Sequence, residues 1–131
     1  MPGLVPYLFF PGNAAEALTF YRDVFGGELT LFTYAQFSRV DGPDDAIAHG
    51  MLTGAVQLFA ADAGGDEDAV HIVGASFSLL GAAGASTLTR WFDALAEGGT
   101  VADPLQKRPW GDYDGQVVDR YGIRWLIGFE D

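Results

Sequence analysis

His49 is the side chain in this sequence with the widest chemical range. The 131-residue chain contains two histidines and no cysteine, and His49 lies midway along the apolar stretch AIAHGM. An imidazole in a strand can act as a base, as a hydrogen-bond donor to a ligand, or as one ligand of a metal ion. The alternative is a half-buried histidine satisfied by a backbone or carboxylate partner. His71 follows an acidic stretch and is predicted to be a solvated residue at a strand edge.

Aromatic side chains form the second group with chemical potential. Trp110, Tyr113, Tyr121 and Trp125 fall within a window of 16 residues near the C-terminal end. Two indoles and a phenol on one hairpin can close a core, or they can stack an aromatic or amide-rich guest. Arg124 alternates with Trp125 along the predicted strand, so it is expected to face the opposite side and to form a surface salt bridge.

The carboxylates of the same region are predicted to be structural. Asp112, Asp114 and Asp119 lie in or beside turns, where a carboxylate more often caps backbone N–H groups than performs acid–base chemistry. The Gly-Gly pairs of the chain lack the context of a phosphate-binding loop. Because there is no cysteine, thiolate metal sites and cysteine nucleophiles are excluded.

The charge balance argues against polyanionic partners. Seven basic residues oppose 18 acidic ones, which gives a net charge of −11. Such a surface repels phosphate backbones and anionic headgroups, so neither a nucleic acid nor a membrane is an expected partner. The N-terminal stretch lacks the basic flank of a signal peptide, and no apolar segment approaches the ~20 residues that span a bilayer. The predicted location is the cytoplasm.

In the first half, the elements that position His49 are predicted from apolar runs and turn residues. The expected strands are 4–10, 28–37, 46–52 and 55–60, with a helix between the first two. Asn13 and Glu16 are expected to form a capping box at the start of this helix, and Gly26 follows its end. Thr53-Gly54 is expected to be a two-residue hairpin turn.

The second half repeats the pattern after the acidic stretch DAGGDED. Strands are expected at 72–80 and 100–101, a helix at 87–97, and a closing hairpin at 116–129. The buried stripe of this helix is predicted to consist of Leu88, Trp91, Phe92 and Leu95. The hairpin is expected to turn at Asp119–Gly122, with Gly122 at positive φ, where a side chain would be strained.

The two halves are predicted to be copies of one unit. FYRDVFGGELT and WFDALAEGGTV each contain an aromatic pair, a helical turn, a Gly-Gly stop and a strand. The interpretation is an α+β fold of two βαβββ modules, one at about 1–62 and one at about 71–131, joined by an acidic linker at about 62–70. The helices are expected outside, with the strands wrapped around a shared cleft.

Three sequence blocks resemble a known family. The blocks are YLFF-PGN-AAEAL-TFYRDVFGGEL, HGMLTGAVQLFAAD and WFDALAEGGTV-PLQ-WG-G-V-D-YG-RW. They are similar to the PhnB-like branch of the vicinal oxygen chelate superfamily. This superfamily includes glyoxalase I, bleomycin resistance proteins and extradiol dioxygenases. The resemblance covers nearly the whole chain. It implies paired βαβββ modules with a U-shaped sheet cleft around a small-molecule site, usually in a homodimer.

The superfamily's divalent metal site is not matched by this chain. The resemblance places the ligand positions at Pro6, near Ala75, at Leu126 and near Gln57, and only Gln57 has a side chain that could coordinate a cation. No cofactor is therefore expected, and a divalent metal is disfavoured.

The resemblance and the missing ligands together predict a metal-free protein that binds a small apolar or aromatic molecule. The alternative is a metal-dependent lyase or dioxygenase of the glyoxalase type, with His49 as the candidate catalytic residue in a non-standard metal site. The expected ligand-binding residues are Tyr7, His49, Phe59, Trp110, Tyr113 and Trp125.

Overall fold

The computed structural model describes residues 3–130, and the chain divides into two compact units, one up to Val70 and one from His71. The first unit contains β1 Tyr7–Phe10, α1 Ala14–Phe25, β2 Glu28–Thr33, β3 Ile47–Thr53 and β4 Leu58–Asp62. The second contains β5 Phe77–Leu80, α2 Ala85–Ala96, β6 Thr100–Lys107, β7 Tyr113–Val118 and β8 Arg124–Phe129. The predicted α+β fold of two βαβββ modules is confirmed. The predicted module ends at residues 1 and 131 lie outside the described residues.

The two units share one sheet topology. The strand order is β1-β4-β3-β2 in the first sheet and β5-β8-β7-β6 in the second. In each, the first strand pairs in parallel with the last, and the remaining neighbours are antiparallel. The same connectivity in both units is what an internal duplication predicts.

Each helix covers one face of its own sheet. The buried stripe of α1 includes Leu18, Tyr21 and Phe25, and that of α2 consists of the four predicted residues. Gly26, at φ 76°, follows the last residue of α1 as expected. Both helices are held in place by apolar stripes at helical spacing, which pack against the sheet.

The start of α1 is stabilised differently from the prediction. The Asn13 side chain makes no capping hydrogen bond, so the expected capping box with Glu16 is wrong. Instead, Asp62 at the end of β4 accepts a hydrogen bond from the Ala14 N–H at 2.8 Å through Oδ1, and one from the Ile47 N–H at 2.8 Å through Oδ2. Asp62 is buried, so it is part of the fold rather than of a solvated linker.

Several strand limits also differ from the predictions. Residues 54–57 form a four-residue connection rather than a two-residue turn, because Val56 is buried rather than paired in the ladder. Strand β5 begins at Phe77, five residues later than expected, and the chain before it bends at Gly74, which has φ 71°. Strand β6 extends to Lys107 through two irregularities in its register.

The closing hairpin agrees with the prediction. Strands β7 and β8 pair across the turn, and Gly122 adopts φ 83°. Asp119 Oδ1 accepts hydrogen bonds from the N–H groups of Tyr121 and Ile123, which is the predicted capping role.

Across residues 3–130, neither helix has the length or the apolar character needed to cross a bilayer.

Candidate functional site

The first sheet has one face packed against α1 and one face without a helix. Alternate residues of a strand point to opposite faces. A side chain at Gly50 would meet Leu18 of α1 at 2.5 Å, so Gly50 and Leu52 lie on the helix side of β3. His49 and Met51 therefore lie on the other side. The helix-free face is where the first unit presents its functional candidates.

Aromatic rings from four strands and one turn collect on this helix-free face. We call them the aromatic face, and its members are Tyr7, Phe9, Phe32, Phe37, His49 and Phe59. The strand register brings them together, since Phe32 pairs with His49 and Tyr7 pairs with Phe59. Tyr7, Phe9 and Phe37 are 40%, 36% and 51% exposed, while the other three are half-buried. A cluster of this kind is accessible to a ligand.

The imidazole of His49 lies at the centre of the aromatic face. It stacks on the Tyr7 ring with 5.6 Å between centroids and on the Phe32 ring with 6.4 Å, and it meets Phe59 edge-on at 5.9 Å. Phe37 extends the cluster by stacking on Phe32 at 5.5 Å, and Phe9 extends it beside Tyr7 at 5.2 Å. This histidine is therefore in contact with three aromatic rings.

A hydrogen bond fixes the orientation of His49. Tyr7 Oη lies 2.9 Å from His49 Nδ1. Burial raises the pKa of the Tyr7 phenol, the charge of Glu67 raises it further, and Arg39 opposes them. The phenol therefore keeps its proton at neutral pH and can donate it to Nδ1. In the tautomer in which Nδ1 accepts this hydrogen bond, the ring proton is on Nε2, where it can be donated to a bound molecule.

A charged cluster holds the loops beside this face. Arg39 donates to Asp41 Oδ2 at 2.6 Å and to Glu67 Oε1 at 3.3 Å, and its guanidinium lies 4.1 Å from the centroid of the Tyr34 ring. The Tyr34 hydroxyl in turn donates to the Asp62 carbonyl at 2.6 Å. Burial raises the Tyr34 pKa, so this hydroxyl also keeps its proton at neutral pH. These contacts connect loop 34–46 to the segment after β4.

The side chains present do not fit the metal site of the superfamily. Within residues 3–130, no three His, Asp or Glu side chains converge in a way that could hold an ion. Pro6 and Leu126 have no donor atoms on their side chains, and Gln57 is exposed in the connection before β4. Ala75 lies in the loop before β5. We therefore derive no reaction step through a metal.

The six predicted ligand-binding residues are divided equally between the two units. Tyr7, His49 and Phe59 meet on the aromatic face. In the second unit, Trp125 is 2% exposed and its indole N–H donates to Asp119 Oδ2 at 2.9 Å, which is the core alternative for this residue. Tyr113 stacks on Phe129 at 5.0 Å, and Trp110 is 69% exposed in the loop before β7. The cleft predicted between the halves stays a prediction.

Three members of the aromatic face were not predicted from the sequence, namely Phe9, Phe32 and Phe37. Residues two apart in a strand share a face, so the prediction of Tyr7 as a site residue was a signal that could have identified Phe9. Phe32 needed the register between β2 and β3, which sequence alone does not supply.

Comparison with known proteins identifies the family. The model of the Glyoxalase/Bleomycin resistance protein/Dioxygenase superfamily matches residues 3–127. The chain belongs to this superfamily. Among curated proteins, Protein YjdN of Escherichia coli (strain K12) is 30% identical over 144 residues, which cover 95% of this chain and 92% of that protein.

Two solved structures show the same fold as this superfamily member. Protein PA1353 from Pseudomonas aeruginosa has a TM-score of 0.81 and 34% identity, with 99% of this chain and 98% of that chain covered. A PhnB protein from Bacillus cereus has a TM-score of 0.76 and 20% identity, with 98% and 99% covered, a likeness that bears on the fold alone.

Proposed function

We propose that this superfamily member binds a small planar aromatic or apolar molecule on the aromatic face, without a metal ion. The observation that carries the proposal is a histidine oriented by Tyr7 in the midst of accessible rings. Exposed aromatic rings lose water-contacting area when they stack a flat guest, and each good stacking pair adds about 0.5–1.5 kcal/mol beyond that burial.

The Nε2–H group of His49 supplies orientation. A guest with a carbonyl or similar acceptor can take this hydrogen bond while its rings lie against Phe32, Phe59 or Tyr7. A polar donor in a mostly apolar site is the usual source of specificity in small-molecule pockets. The preferred ligand is therefore aromatic with at least one acceptor, such as 2-acetylnaphthalene.

Calorimetric titration with a panel of amphipathic aromatic compounds, including 2-acetylnaphthalene, tests the proposal in buffer containing EDTA. The wild-type protein is expected to bind at least one compound at one equivalent per chain. Phe59→Ala removes one wall of the site and is expected to weaken that binding by about tenfold.

Phe20→Ala is the matched control, because Phe20 lies on α1, which covers the opposite face of the same sheet. It should leave the affinity within about twofold of wild type. Uniform absence of heat across the panel, or equal losses in both variants, would remove the support for a binding role of this face.

The alternative of a metal-dependent lyase or dioxygenase receives less support, because no three His, Asp or Glu side chains converge to hold a cation within residues 3–130. The PhnB-like assignment, a homodimer and a cytoplasmic location are further parts of the proposal. Light scattering during gel filtration tests the dimer, and a monomer at micromolar concentration would contradict it.

A further inference from the structure

The second unit has its own helix-free sheet face, and Arg124 lies on it. In β8, Trp125 and Ile127 are buried on the α2 side, whereas Arg124 and Leu126 alternate with them and are half-buried. The salt bridge expected for Arg124 is not found: among residues 3–130, no carboxylate comes within 4.0 Å of its guanidinium. Its Nη1 donates instead to the neutral Gln116 Oε1 at 3.0 Å.

This pairing differs from that of three other arginines. Arg22, Arg39 and Arg108 each form an ion pair with at least one carboxylate. A half-buried guanidinium without a counter-charge retains unused N–H donors and an unbalanced positive charge. In a chain with 18 acidic residues, this is a place where a negative charge is favoured.

A groove of about 590 Å³ lies directly beside Arg124. Its lining comprises the segment 72–76 together with Gln116 and Arg124. The segment contributes the apolar residues Ile72 and Val73 and the hydroxyl-bearing Ser76, and no acidic residue is part of the lining. The volume falls in the range of small-molecule sites.

We infer that this groove binds the carboxylate of a small molecule with an apolar body. The planar fork of Arg124 matches the two oxygens of a carboxylate. Because the Gln116 oxygen is used by Arg124, the Gln116 amino group and the Ser76 hydroxyl are the adjacent donors, and the aliphatic part of the ligand lies against Ile72 and Val73. All residues of this site belong to the second unit.

Hexanoate and hexanamide are the matched probes, because they differ in charge and lack the rings that the aromatic face would stack. Binding is measured by ¹H–¹⁵N correlation spectra of the whole protein, following the Arg124 Nε–H and the amides of residues 72–76. Hexanoate is expected to shift these signals in a saturable, salt-sensitive manner, and hexanamide to bind at least tenfold more weakly.

Variants separate the site from general charge effects. Arg124→Gln is expected to lower hexanoate affinity at least tenfold, and Arg124→Lys, which keeps the charge but loses the fork, to recover only part of it. Arg90→Gln, on the exposed side of α2, makes the same charge change and should alter affinity less than twofold. The inference is overturned if neither probe shifts these signals, if both bind equally, or if Arg124→Gln and Arg124→Lys, folded by circular dichroism, bind hexanoate like wild type.

Discussion

At the scale of single residues, the hydrogen bond with Tyr7 orients the imidazole of His49. The phenol, whose pKa is raised by burial, lies in hydrogen-bond contact with Nδ1, and the tautomer in which Nδ1 accepts leaves the Nε2 proton for a ligand. Phe32 and Phe59 enclose the imidazole with hydrocarbon, so a ligand that replaces water there meets one directed donor in an apolar surface.

Tyr7→Phe tests this donor role, because it keeps the ring and removes only the hydroxyl. With the orienting hydrogen bond gone, affinity for 2-acetylnaphthalene is expected to fall about fivefold, corresponding to roughly 1 kcal/mol. Affinity for 2-ethylnaphthalene, which has no acceptor, should change less than twofold. Fluorescence titration of both compounds checks this, and an equal fall for the two would show that the hydroxyl does not act through the ligand's acceptor.

At the scale of elements, Asp62 connects three pieces of the first unit. Its two carboxylate oxygens accept from the first N–H of α1 and the first N–H of β3, while the residue itself ends β4. These contacts set the helix against the sheet that carries the aromatic face. They join residues 48 and 15 positions apart, which is why the local pattern at Asn13 suggested a different cap.

Asp62→Ala is expected to lower the free energy of unfolding by about 2–5 kcal/mol, because two N–H groups lose a charged acceptor. Urea unfolding followed by circular dichroism measures the change. Asp23→Ala, at an exposed position of α1, should stay within about 0.5 kcal/mol of wild type. Equal stability of the two variants would contradict the role assigned to Asp62.

The loop cluster around Arg39 predicts a specific response to acid. Arg39 lowers the pKa of Asp41, and the Gly64 N–H followed by Arg39 lowers that of Glu67. Depressed carboxyl pKa values contribute stability that is present above the usual values of 3.8 and 4.5 and is lost as pH falls through the lower values of the folded state.

Arg39→Gln should therefore flatten the decline of unfolding free energy between about pH 5 and pH 2. Urea unfolding at a series of pH values measures the slope, and Arg90→Gln serves as the control for loss of one positive charge. A slope as steep in Arg39→Gln as in wild type would show that the ion pairs do not contribute to acid sensitivity.

The sequence predicted which segments form helices and strands more accurately than it predicted the contacts between them. Leu88, Trp91, Phe92 and Leu95 were correctly assigned to the buried stripe of α2, because helical spacing is a local property. The composition of the aromatic face depends on the register of four strands, and the position of Trp125 depends on which side of the sheet α2 covers. Neither property is encoded locally, so Phe32 was missed and Trp125 had two open alternatives.

At the scale of the whole molecule, one βαβββ topology is used twice with different surfaces. The first unit carries rings on its helix-free face, and the second carries Arg124 and Gln116 there. Both units have a buried helix stripe, which the fold requires, while their helix-free faces carry different side chains. The two units therefore offer different chemistry on equivalent frameworks.

Metal content is a prediction for the whole molecule. Protein purified without chelators is expected to contain well below one equivalent of zinc, nickel, manganese or iron, because His49 has no neighbouring ligand set within the described residues. Elemental analysis by mass spectrometry measures this, with His49→Ala as the comparison. One equivalent of metal that disappears in His49→Ala would establish the metal-dependent alternative.

The most direct test locates a bound aromatic ligand on the protein. In ¹³C-labelled protein titrated with 2-acetylnaphthalene, the account predicts that the largest shifts fall on the ring signals of Tyr7, Phe32, His49 and Phe59, and that they saturate at one equivalent in the presence of EDTA. Shifts confined to Trp110 and Tyr113, or no saturable shift with this or any other aromatic compound, would contradict it.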